Sequence, residues 1–201
     1  KKGGIMDSLK TMQERALDTT KPGTVNPKEL LQVELLSSFE KYTKCMFKAQ
    51  YHRSFIVAEH HKKMFEVLQD VVDGKCKRLI INIAPRYGKT ELVIKSFISW
   101  CFALNPKCRF LHLSYSDILV NDNSETIRNI MQEELYKTLF PNSALASEKG
   151  SAKRWKTKAG GELYAVSTQG QVTGFGAGAV DEVPDIDKMD GGNDIFTFDD
   201  H

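Results

Sequence analysis

Gly88-Lys89-Thr90 brings together, in consecutive residues, the groups that hold a polyphosphate. A glycine lets the backbone curl so that successive N–H groups turn towards phosphate oxygens, and a helix starting just behind them adds its positive end. The Lys89 ammonium has the reach for β- and γ-phosphates, and the Thr90 hydroxyl is a hard oxygen ligand suited to Mg²⁺. Far along the chain, Asp199 and Asp200 close the short apolar run Ile195-Phe196-Thr197-Phe198. Carboxylates at the tip of a buried strand divide the remaining work, as in a Walker B element. The first holds Mg²⁺, directly or through water; the second orients and helps deprotonate an attacking water. Ala179-Val180-Asp181-Glu182 is a rival for this role, but glycines surround it and it makes a poor strand. Asp199 and Asp200 are preferred because such carboxylates must be fixed by a buried strand.

These groups work only if a strand and a helix position them. Leu79, Ile80, Ile81 and Ile83, interrupted by Asn82, read as a buried strand. The loop Ala84-Pro85-Arg86-Tyr87-Gly88 follows, and Lys89-Thr90 opens a helix carrying Leu92, Val93, Ile94, Phe97, Ile98, Trp100 and Cys101 inward until Asn105-Pro106. Strand, loop, Lys-Thr and helix make the P-loop arrangement. The standard spacing G-x-x-x-x-G-K-[ST] would put its first glycine at Ile83. Two readings stand: a loop shortened to begin at Ala84, or a chance Gly-Lys-Thr behind a core strand. Arg109–Ser114 predicts the next strand, and Ser114-Tyr115-Ser116-Asp117 turns into a helix with Ile118, Leu119, Ile127, Ile130, Met131 and Leu135 inward. A helix after each strand implies an α/β fold with a mostly parallel sheet, in which ligands bind at the C-terminal strand ends.

The remaining segments are scaffold by default. Residues 1–26 end in the breakers Thr19-Thr20-Lys21-Pro22-Gly23, and Asn26-Pro27 caps a helix whose stripe (Leu30, Leu31, Leu35, Phe39, Tyr42, Phe47) runs to about Gln50. This divides the chain into an N-terminal helical segment, 1–50, and a core, 51–201. Glu59-His60-His61 opens the helix carrying Met64, Phe65, Leu68 and Val71. Adjacent histidines share no helix face, which argues against a metal pair; the stretch reads as a solvated helix start, preferred over contact with a base edge. Trp155 among Lys153, Arg154, Lys156 and Lys158 marks either an edge strand or a nucleic-acid contact, and the edge strand is preferred. Gly160-Gly161 turns into a strand over Glu162–Ser167, and a glycine-rich loop spans 170–178.

At 201 residues, 41% hydrophobic and 27% charged, the chain belongs to the soluble globular class, with no apolar run long enough to span a membrane. Cys45, Cys76, Cys101 and Cys108 show no metal-ligand spacing and read as free thiols in a reducing cytosol. Residues 1–180 carry 27 basic and 18 acidic side chains, whereas 181–201 carry eight acidic and one lysine. A basic body with an acidic end is compatible with a polyanionic partner.

From about Arg53 to His201 the chain resembles the ATPase part of a tailed-phage terminase large subunit. The features that carry the likeness are APRYGKTEL, Ser114-Tyr115-Ser116-Asp117, Leu139-Phe140-Pro141, the run from Gly160-Gly161 to Gln171-Val172-Thr173-Gly174-Phe175-Gly176, and the closing Asp199-Asp200, in that order. The resemblance implies an additional-strand P-loop ATPase fold using ATP and Mg²⁺. It implies nucleotide contacts from Ala84, Pro85, Arg86, Tyr87, Gly88, Lys89, Thr90 and Glu91, and metal ligation by Thr90 and Asp199. Catalytic roles fall to Lys89, Asp200 and Arg86, the last as a γ-phosphate sensor or, in the blander alternative, a loop-fixing ion pair. It further implies a homo-oligomeric ring on a procapsid, double-stranded DNA as moving substrate, a portal protein and a small terminase subunit as partners, and the cytoplasm of an infected bacterium as location. The family's central strand between the P-loop and Walker B strands, and its nuclease domain, are expected beyond His201. Two departures stand out: the acidic stretch 179–194 precedes the strand, and Asp200 replaces the usual glutamate. The other readings are a helicase or restriction-type translocase, and a nucleotide-binding assembly module with weak hydrolysis.

Overall fold

A computed structural model of the chain describes residues 26–147 and 151–167, together with the backbone of 194–199. Helix α1 spans Pro27–Ser37 and starts as its sequence dictates. The Asn26 side-chain oxygen accepts from the Lys28 N–H at 3.1 Å, and Pro27 fills the first turn. The apolar stripe does not continue as one helix. Ser38 is extended (φ −142°, ψ 113°), ends α1 and caps α2, Phe39–Tyr51, by accepting from Lys41 N–H. A serine hydroxyl competes well for a helix N-terminus, so the break falls there. Helix α3, Glu59–Val72, buries Met64, Phe65 and Leu68.

Beyond the 84–90 loop, a π-helical segment, Thr90–Ser96, passes directly into α4, Phe97–Leu104. The residues from Phe97 to Phe102 are all buried, so α4 is covered on every side. Phe39 lies 5.1 Å from the Trp100 ring, Tyr42 donates to the Ser99 hydroxyl at 2.9 Å, and Tyr136 donates to the Ser99 carbonyl at 3.0 Å. The N-terminal helices therefore share one apolar core with α4.

Strand β1, Arg109–Ser114, leads through the Ser116 turn to α5, Asp117–Gln132, then α6, Glu134–Leu139. Strands β2, Arg154–Lys156, β3, Glu162–Ser167, and β4, Asp194–Asp199, complete a sheet of order β2-β3-β1-β4. Strand β1 runs parallel to both β3 and β4, and β2 is antiparallel at the edge. The fold is α/β with a mixed, mostly parallel sheet, as the strand–helix alternation implies. No helix among the described residues is long and apolar enough to cross a membrane.

Three local expectations are corrected. Residues 79–83 pair with no strand among the described residues; they keep a period-two burial, with Leu79, Ile81 and Ile83 packed on the core and Ile80 87% exposed. Side-chain alternation is written locally, but a ladder needs a neighbour, and no described strand lies alongside. Ile118 is exposed, and Val120 takes the buried position in the first turn of α5. The helix predicted to run on to Leu135 breaks at Glu133. The reading of Trp155 as an edge-strand residue holds. Its ring is buried and its indole N–H donates to the Ser124 hydroxyl at 2.9 Å, while Lys153, Arg154, Lys156 and Lys158 remain exposed. All four cysteines are free thiols.

Candidate functional site

The loop from Ala84 to Lys89 is short and sharply curled. Arg86 has φ 69° and Gly88 has φ 80°, both in the left-handed region, with Tyr87 between them. Left-handed backbone in a short loop is one ingredient of the nests in which successive N–H groups face one side. Glycine adopts this conformation freely, whereas for Arg86 it costs about 1–2 kcal/mol. Strain of that size in a loop needs support from its surroundings.

Part of that support is visible. The Leu92 N–H donates to the Gly88 carbonyl at 3.0 Å, tying the loop into the first turn behind it. From the other side, His61 Nε2 lies 3.2 Å from the Tyr87 carbonyl oxygen. The Tyr87 ring, half exposed, meets the His60 ring edge-on at 5.4 Å. Ile83–Arg86 and Gly88–Thr90 together wall a cavity of about 430 Å³. Ala84 through Tyr87 are exposed, and Gly88, Lys89 and Thr90 are half-buried.

The segment Thr90–Ser96 carries the loop into the core. It is flanked by α2, α3 and α5 and lies beside β4. Glu91 is held rather than free: its carboxylate is 3.5 Å from the Tyr51 hydroxyl and 3.4 Å from Lys95 Nζ. Burial, and next the Glu91 carboxylate, push the Tyr51 phenol up to about 12. Glu91 thus joins α2 to the segment behind the loop.

The sheet brings a second set of groups to one edge. In the β1–β4 register Asp199 stands opposite Ser114, and in the β1–β3 register Ser167 stands opposite the same serine. Ser114 is fully buried, and its hydroxyl has no hydrogen-bond partner among the described residues. This is the C-terminal end of the parallel strands, where α/β sheets bind ligands.

Of the predicted site residues, Ala84, Pro85, Arg86, Gly88, Lys89 and Thr90 are gathered round one cavity, Tyr87 lies outside its lining, Glu91 sits behind them in ionic contact, and Asp199 ends β4. Asp200, the rival Asp181-Glu182 and the glycine-rich stretch 170–178 lie outside the described residues. Among the described residues no cluster of three or more His, Cys, Asp or Glu is arranged to hold a metal ion. His61 was missed by the sequence reading, which treated it as a solvated helix start. A signal for it existed: Ala58 offers no side chain to cap α3, and a side chain three residues later can reach back to the cap N–H. Comparison of the chain with models of known protein families, with curated proteins and with solved structures gave no match.

Proposed function

We propose that this chain is the ATP-hydrolysing part of a DNA-translocating motor of the terminase large-subunit type, built on a P-loop NTPase fold. The observation that carries the reading is the cavity of about 430 Å³ walled by the 83–90 loop, with left-handed turns at Arg86 and Gly88 and with Lys89-Thr90 at its helix-forming end. A curled loop with a lysine at the start of the helical segment behind it suits the phosphates of a nucleotide.

In this reading the loop amides and Lys89 hold the phosphates, and Arg86, which also lines the cavity, offsets γ-phosphate charge. Thr90 and Asp199 would hold Mg²⁺. The buried Ser114 hydroxyl, without a hydrogen-bond partner among the described residues and opposite Asp199 in register, supports a polar group at that strand end, as a hydrated cation requires. Mg²⁺, when bound, would supply charge neutralisation to the phosphates. Asp200 would orient the attacking water and accept its proton as the water oxygen bonds to the γ-phosphorus; the bond to the β–γ bridging oxygen breaks, ADP leaves with that oxygen, and Lys89 and Arg86 would offset the negative charge that develops. Double-stranded DNA is the moving substrate, with a ring of copies, a portal protein and a small terminase subunit as assembly partners in an infected cell. The basic balance of residues 1–180 supports a polyanionic substrate.

The test is Mg-dependent ATP hydrolysis with and without double-stranded DNA, for the wild type, Lys89→Ala, Asp199→Ala and Asp181→Ala. DNA-stimulated turnover lost in Lys89→Ala and Asp199→Ala, and kept in Asp181→Ala, is the expected result. Turnover lost with Asp181→Ala and kept with Asp199→Ala moves the metal site to the rival acids. Nucleotide binding without turnover, in a form carrying any further strands of the parent protein, favours an assembly module over a motor.

A further inference from the structure

We infer that His61 is a positioning residue that sets the conformation of the 84–90 loop, acting through the Tyr87 carbonyl. The inference deepens the nucleotide-site reading and rests on it for its functional consequence, though not for its structural one.

The ring is held at both nitrogens. Nδ1 is 3.1 Å from the Ala58 backbone N–H, and a backbone N–H can only donate, so Nδ1 accepts. In the neutral imidazole the proton is then on Nε2, which donates to the Tyr87 carbonyl at 3.2 Å. One tautomer satisfies both bonds. His61 therefore spans two elements: it supplies the missing cap of α3 and grips the carbonyl between the two left-handed residues of the loop. Phe55, at 5.1 Å from the ring, and His60, at 3.9 Å, pack against it and limit its rotation.

The loop is built to receive it. A Cβ placed on Gly88 would stand 2.9 Å from His61 Nε2, so the glycine makes room for the ring as well as for its own φ of 80°. Fixing the Tyr87 carbonyl on the His61 side orients the Tyr87–Gly88 peptide, and with it the Gly88 N–H, before any ligand arrives. Preorganisation of this kind lowers the ordering cost of binding, because the loop does not have to be arranged by the ligand.

The two bonds can be separated by substitution. Asparagine presents its side-chain oxygen near the position of Nδ1 and can keep the cap, but it is too short to reach Tyr87. Glutamine presents an N–H donor near the position of Nε2 and can keep the loop bond, but it loses the cap. The experiment is amide hydrogen exchange across 59–63 and 84–90 in the ligand-free 201-residue chain, paired with Mg·ATP affinity, for wild type, His61→Asn and His61→Gln.

His61→Asn is expected to speed exchange in 84–90 and leave 59–63 near wild type. Its ATP binding should weaken by roughly threefold to tenfold, the size of one lost hydrogen bond. His61→Gln is expected to do the reverse in exchange and to bind ATP near the wild-type level. Equal loop exchange in wild type and His61→Asn overturns the inference, as does a glutamine variant whose loop is as loose as the asparagine variant's. If His61→Asn fails to fold, His61→Gln decides alone. Loop protection retained with faster exchange at 59–63 upholds the strut, and the opposite pattern removes it. A wild type that binds no ATP overturns the proposed function, while the exchange comparison still decides the strut.

Discussion

The indole N–H of Trp100 donates to the Leu35 carbonyl at 3.0 Å, and both residues are buried. The bond exists because α1 stops at Ser38. In a continuous helix the Leu35 carbonyl would accept from the Phe39 N–H. With the break, that N–H turns instead to the Gln69 side chain at 3.2 Å, and Trp100 takes the carbonyl. Two side chains from α3 and α4 thus complete the backbone that Ser38 interrupts.

Trp100→Phe keeps most of the apolar volume and removes the donor. Leaving a buried carbonyl unpaired is expected to cost about 1–3 kcal/mol, read as a lower urea midpoint with unchanged slope. A midpoint equal to wild type would mean that water or a rearranged side chain satisfies Leu35.

Gly161 is a second structural constraint. A Cβ there would lie 2.3 Å from the Pro106 carbonyl oxygen and 2.7 Å from that of Cys108, both backbone atoms with little freedom. The Glu162 N–H also donates to the Cys108 carbonyl at 3.0 Å, so the strand cannot move away cheaply. Gly161→Ala is expected to destabilise the fold by about 1–3 kcal/mol, measured by thermal or urea unfolding. A variant as stable as wild type would show that the β3 entry can shift.

Gly88→Ala tests the loop instead of the core. The substitution forces a side chain into φ 80° and against His61 Nε2. We expect ATP affinity to fall at least tenfold while global stability changes by no more than about 2 kcal/mol, the cost of one left-handed residue. Calorimetric titration beside a melting curve separates the two. An affinity close to wild type would argue against a nest that depends on this backbone.

His61 also gives the chain a pH dependence. Burial first, and the neighbouring His60 second, hold its imidazole below the ordinary value of 6.5, against the opposing pull of the Tyr87 carbonyl. Because the folded state disfavours the proton, its contribution to stability is complete above 6.5 and is lost as pH falls through the lower folded value. Stability of wild type relative to His61→Gln should therefore shrink below that pH, followed by urea unfolding at a series of pH values. A difference that grows on acidification would reverse the sign and refute the depressed titration.

Several features were legible in the residues alone. The strand-forming runs Arg109–Ser114 and Glu162–Ser167, the Gly160-Gly161 turn and the Asn26-Pro27 start are local signals, and each produced its element where its chemistry lies. The clustering of Ala84–Arg86 and Gly88–Thr90 round one cavity follows from their adjacency in the chain. So does the strand ending at Asp199, whose apolar run is continuous in sequence.

Tertiary structure decided which groups meet. Leu79–Ile83 has a strand's alternation, but whether it joins a ladder depends on a neighbour elsewhere in the chain, and its pattern cannot specify one. The break at Ser38 is tolerated because Gln69 and Trp100 arrive from distant positions to pair the freed groups. His61 has the local signal of a cap, yet its hold on Tyr87 depends on how α3 packs beside the loop. Side-chain period and turn chemistry are properties of neighbours in sequence; hydrogen-bond partners across elements are properties of packing, and only the folded chain selects them.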